Sequence, residues 1–144
     1  MVVRDLPKVV AGVRFPLPAP LNLLTKNYMS KITASYFEIS VTDLIRAMDF
    51  YGFIFGIDFE IKNIHGNEFA FFPKNIGALA KGESYKPSKD GARIYFDVKS
   101  IDETMKNVLE KGGKELFPKT STGFGFVAEF EDSEGNCVAL SSRQ

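Results

Sequence analysis

Arg93, Tyr95 and Asp97 alternate along one short stretch of the chain, and Tyr36, Glu38 and Ser40 alternate along another. A period of two places each trio on one face of a strand. If the two faces converge, one hollow holds an arginine, two carboxylates, two phenols and a hydroxyl. Such a set grips an anionic or polar ligand, the guanidinium through a bidentate fork and the tyrosines by stacking. Glu38 or Asp97 is the candidate general base, and Arg93 would then stabilise the developing anion. The plainer role for the same side chains is structural, with Glu38 or Asp97 neutralising Arg93. Cys137 has the matching parity on a later strand. It reads either as a reactive thiolate or as a small buried apolar residue.

Two strands of this kind need elements to hold them. Phe37, Ile39 and Val41 form the other face of the first strand, about Ser35 to Val41. Thr42-Asp43 then caps a helix whose apolar stripe is Leu44, Ala47, Met48 and Tyr51, and Gly56 stops it. Strands are expected at 57–62, 68–72 and 76–81, with His65-Gly66-Asn67 as a turn.

A polar loop, Gly82 to Gly91, separates this unit from a second of the same plan. The second opens with a strand over 92–98, whose core face is Ile94, Phe96 and Val98. Ser100 to Glu103 is a capping box, and Ile101, Met105, Val108 and Leu109 form the buried stripe of the next helix. Gly112-Gly113 ends it. Strands follow at 114–118, 124–131 and 137–141, the last two joined by the tight turn Asp132 to Asn136.

Each copy therefore reads β-α-β-β-β, over about 35–82 and 92–142. One copy cannot cover its own sheet. Two predict an α+β domain over 34–142: a curved, roughly eight-stranded mixed sheet around a concave cleft, with helices outside. Residues 1–33 are an irregular extension punctuated by Pro7, Pro16, Pro18 and Pro20, with Met29 as an alternative start.

Composition narrows the partners. The 18 Lys plus Arg balance the 18 Asp plus Glu, so no global field favours nucleic acid or an anionic membrane. No apolar run reaches the length that spans a bilayer. His65 is the only histidine and Cys137 the only cysteine, which excludes an intrachain disulfide and a Cys/His zinc cluster. A cytoplasmic location fits that usage. The 14 phenylalanines, among them Phe69, Phe71, Phe72, Phe124, Phe126 and Phe130, fill a core or line an aromatic ligand's site.

FEISVTDLIRAMDFYGFIFG, the helix end KGGKELFPKT and the turn FEDSEGNCVAL resemble the glyoxalase/bleomycin-resistance/extradiol-dioxygenase (vicinal oxygen chelate) superfamily. The likeness covers about residues 34 to 142. It implies the paired-module fold and, because family members commonly dimerise, a homodimer. Enzymes of the family usually bind a divalent metal through a His on the first strand of a copy and a Glu on its last strand. The matching positions here are Tyr36 and Arg93, then Ala139 and Ala78. Arginine does not deprotonate to bind a cation and alanine has no donor atom. The expectation is therefore a protein with no metal and no other cofactor. It would bind a small polar or aromatic molecule through Tyr36, Glu38, Ser40, Arg93, Tyr95, Asp97 and Cys137. Two alternatives stay open: an enzyme of glyoxalase or dioxygenase type with a non-standard site, and a vestigial cavity serving protein interaction.

Overall fold

The computed structural model describes residues 32–144. Almost all of the irregular extension, Met29 included, lies outside the described residues. The elements run β1 (Phe37–Ser40), α1 (Leu44–Phe55), β2 (Glu60–Ile64), β3 (Asn67–Phe71), β4 (Gly77–Lys81), β5 (Tyr95–Asp97), α2 (Ile101–Glu110), β6 (Lys114–Ser121), β7 (Phe126–Glu131) and β8 (Cys137–Ser142). The β-α-β-β-β plan is thus present twice.

The eight strands form two mixed sheets of four, ordered β1-β4-β3-β2 and β5-β8-β7-β6. In each, the first strand of the module lies parallel to the last, and the remaining pairs are antiparallel. The ladders end at β1 and β5, so the eight strands do not share one continuous ladder. Aromatic packing joins the halves instead. Phe37 of β1 meets Phe96 of β5 edge-on at 5.6 Å between ring centroids, and Phe96 also lies 4.8 Å from Phe55 of α1.

Helix α1 forms where the spacing predicts. Asp43 sits in extended geometry and its side chain accepts from the Arg46 N–H, while Gly56 takes the left-handed conformation and closes the last turn on Gly52. Leu44, Ala47, Phe50, Tyr51 and Ile54 are buried. Ile57 is not free to begin a strand, because its N–H also bonds the Gly52 carbonyl, and β2 starts only at Glu60. On α2 the Ser100 hydroxyl caps the Glu103 N–H, and Ile101, Thr104, Met105 and Val108 are buried. Leu109, expected in that stripe, is exposed. The place beside Met105 goes to Thr104.

Strand β6 runs past the expected end at Pro118, with register shifts between Glu115 and Phe117 and again before Thr120. It is an edge strand, where a missing N–H and an irregular register are tolerated. Phe124 is 71% exposed in the turn between β6 and β7 and contributes to no core.

One apolar core draws on both modules, from Ile39, Leu79 and Phe50 to Ile101, Ala128 and Phe130. Burying side chains of this size is worth roughly 1.5–3 kcal/mol each, so both halves draw on the same apolar burial.

The β7–β8 turn locks the halves polarly as well. Gly135, at φ +96°, lets it close. Asp132 accepts from the Glu134 and Asn136 N–H groups and from the Tyr51 hydroxyl of α1. The Asn136 amide donates to the Ser40 carbonyl at the end of β1, and its oxygen accepts from the Ser88 N–H of the linker. Glu134 receives the Thr42 and Asp43 N–H groups at 3.0 Å each, together with the Arg46 guanidinium. A carboxylate from the second module thereby caps the helix of the first.

Candidate functional site

Each sheet turns one face to the helices and leaves the other free of them. On the first sheet the register sets Glu38 beside Ala78, Ala78 beside Phe71, and Ala80 beside Phe69. The methyl groups of Ala78 and Ala80 and the Phe69 ring form a small buried cluster, against which Phe71 and Tyr85 pack. Tyr85 reaches this face from the linker, its ring edge-on to Phe69 at 6.0 Å. Tyr36 tilts against Phe71 at 6.5 Å.

Over this aromatic floor stands the Glu38 carboxylate. The Tyr36 hydroxyl donates to one oxygen at 3.1 Å and the Tyr85 hydroxyl to the other at 2.8 Å. Partial burial, and then the adjacent Glu38 charge, push the Tyr36 phenol up to about 12. The hydrogen bond to Glu38 raises Tyr85 as well. Both phenols therefore stay protonated donors across the neutral range. At the margin of this face, the Lys62 ammonium lies 5.6 Å from the Phe71 ring centroid.

The second sheet carries a different chemistry. Ala139 lies beside Tyr95 on one side and Glu129 on the other. Arg93 donates through Nε to Glu129 at 3.2 Å and through Nη1 to the Lys89 and Gly91 carbonyls. The Cys137 thiol points to the other Glu129 oxygen at 3.5 Å. Cys137 and Glu129 are both buried.

The residues singled out from sequence are thus gathered in two groups. Tyr36 and Glu38 meet over the first sheet, and Arg93 and Cys137 meet over the second. Asp97 and Tyr95 are exposed on β5, and Ser40 contributes its carbonyl to the Asn136 clamp. The ion-pair partner of Arg93 is Glu129, not Glu38 or Asp97. Sequence reasoning missed Tyr85 and Glu129. A lone aromatic inside the polar loop GESYKPSKDG was the signal for the first. For the second it was the parity of FVAEFE, which puts a carboxylate on the Ala139 side.

Of the four positions that the resemblance matches to family metal ligands, Ala78 and Ala139 are fully buried. Among the described residues no group of three or more His, Cys, Asp or Glu is placed to hold a metal ion. His65 lies in the β2–β3 turn at φ 50°. Among the described residues no helix is long and apolar enough to cross a membrane.

The profile of the Glyoxalase/Bleomycin resistance protein/Dioxygenase superfamily matches residues 33–140. The chain belongs to this superfamily. A glyoxylase-like domain-containing protein of Didymella fabae is 33% identical over 120 residues, 74% of this chain and 90% of that protein. Among solved structures, the superfamily fold is shared by TnmS3, an antibiotic binding protein from a Streptomyces species. The TM-score is 0.62 at 20% identity, covering 81% of this chain and 99% of that one. A glyoxylase/bleomycin resistance protein/dioxygenase domain from a Frankia species also gives a TM-score of 0.62, at 16% identity, over 78% and 93% of the two chains. At such identities the structural likeness speaks for the fold of this superfamily member and not for its ligand.

Proposed function

We propose that this superfamily member binds a small organic molecule on the helix-free faces of its sheets and does so without a divalent metal. One observation carries the reading: at positions that the resemblance matches to the family's metal ligands, Arg93 is paired with Glu129 and Ala78 and Ala139 are buried. A guanidinium repels a dication and has no lone pair to offer, and the Ala78 and Ala139 methyls add no donor. On this reading the residues present do not fit a metal. A positive side chain fixed by its own carboxylate takes that place in the second module. That the same fold serves an antibiotic binding protein makes small-molecule binding a role this fold can carry.

The test has two arms. Elemental analysis of the purified chain, followed by titration with zinc, nickel and manganese, should give no stoichiometric metal and no change in melting temperature. A thermal-shift screen of small aromatic molecules should give saturable stabilisation that Glu38→Gln or Arg93→Ala weakens. Stoichiometric metal that survives dialysis would overturn the metal-independent reading. Hits unaffected by both substitutions would place the binding elsewhere.

A further inference from the structure

Glu129 on the second helix-free face is paired with Arg93, whereas Glu38 on the first meets only hydroxyls, and that difference names a ligand class. Glu60, Glu68, Glu129, Glu131 and Glu134 each form an ion pair with a lysine or arginine. Among the described residues Glu38 has no cationic partner. Its two oxygens accept one neutral hydroxyl each, from Tyr36 and Tyr85. An ionised carboxylate accepts about four hydrogen bonds, so half of its capacity is open. The rings of its two hydroxyl donors run into an aromatic row on the same sheet, Tyr36 against Phe71, Phe71 against Phe69 and Phe69 against Tyr85. A carboxylate beside such an aromatic row attracts positive charge twice over, by direct ion pairing and by the ring quadrupoles. An ammonium already occupies part of this surface, Lys62 over the Phe71 ring.

We infer that the first sheet is a recognition site for an organic cation: an amine or quaternary ammonium on an aromatic body, its charge at Glu38 and its rings against Phe69, Phe71 and Tyr85. The inference rests on the small-molecule binding reading above and deepens it. Tyr36 and Tyr85 act as positioning residues. By donating to opposite oxygens they fix the plane of the carboxylate without cancelling its charge. The second sheet does not compete for this ligand, because its Arg93 guanidinium repels a cation.

The probes are benzyltrimethylammonium, benzyl alcohol and benzoate, titrated into the full-length chain and followed by amide chemical shifts. The cation should shift the amides around Glu38, Phe71 and Ala78 saturably, with benzyl alcohol at least about tenfold weaker, the margin expected from one partly desolvated charge pair. Glu38→Gln should bring the cation down to the level of the alcohol. In the unmodified chain, raising salt should weaken the cation and leave the alcohol unchanged; this arm holds even if the variant fails to fold. The inference is overturned if benzyl alcohol or benzoate binds the first sheet as tightly as the cation, or if cation affinity ignores both Glu38→Gln and salt. Saturable benzoate binding beside Arg93 with no preference for the cation sinks the cation site and leaves small-molecule binding standing. No saturable shift with any probe removes both.

Discussion

Tyr51 in the middle of α1 donates its hydroxyl hydrogen to the Asp132 carboxylate at 2.5 Å, across 81 residues of sequence, with both groups buried. Burial first, and then the Asp132 charge, push the Tyr51 phenol well up from its ordinary range. The hydroxyl therefore remains a donor at any pH at which the protein folds. Tyr51→Phe keeps the ring and deletes that donor, leaving a buried carboxylate oxygen one partner short. The expected loss is about 1–3 kcal/mol, read as a lower urea midpoint with an unchanged slope. A midpoint equal to that of the unmodified chain would show that the bond contributes nothing net.

Glu134 contributes to stability on the acid side. Burial by itself would raise its carboxyl, but hydrogen bonds from Arg46, the Asp43 and Thr42 backbone and Ser133 outweigh that and hold it at about 2, below the ordinary 4.5. A depressed carboxyl stabilises the fold above its unfolded pKa, and the contribution fades as pH falls from about 4.5 towards 2. Its size is on the order of 2–3 kcal/mol after allowance for the exposed Arg46. Glu134→Gln should lower stability at pH 7 by about that amount and flatten the acid limb of a stability–pH curve. An unchanged limb would assign acid sensitivity to other carboxylates.

Close approach at Gly113 predicts another loss. A Cβ there would lie 2.7 Å from the Glu131 carbonyl, 2.7 Å from Val108 Cγ1 and 3.1 Å from the Phe50 ring. Backbone and buried core cannot both give way. Gly113→Ala should cost about 1–3 kcal/mol by overpacking, whereas Gly91→Ala, with nothing within 4 Å, should stay within about 0.5 kcal/mol. Chemical denaturation of the two variants side by side checks the contrast.

Raised phenols are directly visible in the ultraviolet. Tyr36, at about 12, owes its shift first to burial and then to Glu38. A phenol raised in the fold favours the folded state below its unfolded pKa, near 10, and that contribution is lost as pH climbs through about 12. In a spectrophotometric titration Tyr36→Phe should delete one late-ionising phenol. Glu38→Gln should bring the same transition earlier without returning it to 10, because the burial contribution stays. Full return would mean that the carboxylate, and not burial, governs Tyr36.

What the sequence disclosed and what it withheld follow from range. The duplicated β-α-β-β-β plan was legible because its signals are local: alternation in YFEIS and RIYFD, the Asp43 and Ser100 caps, and the stripe of Leu44, Ala47 and Tyr51. Leu109 misled because it adjoins Val108 at acceptable helical spacing, and only the placement of α2 decides which edge of the stripe meets the core. The expected strand over 57–62 slid to Glu60–Ile64 because Ile57 completes the α1 terminus. In the fold, the alternating trios put Tyr36 in hydrogen-bond contact with Glu38 and left Tyr95 and Asp97 exposed on β5. They did not reveal that Glu129 claims Arg93 from 36 residues away, or that Tyr85 reaches over the first sheet. Side-chain pairings between strands and loops leave no periodic trace.

The clamp made by Asp132, Glu134 and Asn136 also dictates an order of events during synthesis. The groups that finish the start of α1 and pin the end of β1 belong to the β7–β8 turn, some ninety residues later in the sequence. The first module must therefore wait, incompletely closed, until the β7–β8 turn has left the ribosome. Nascent chains arrested before Ser133 should remain protease-sensitive, and emergence of the β7–β8 turn and β8 should switch both halves to resistance in one step.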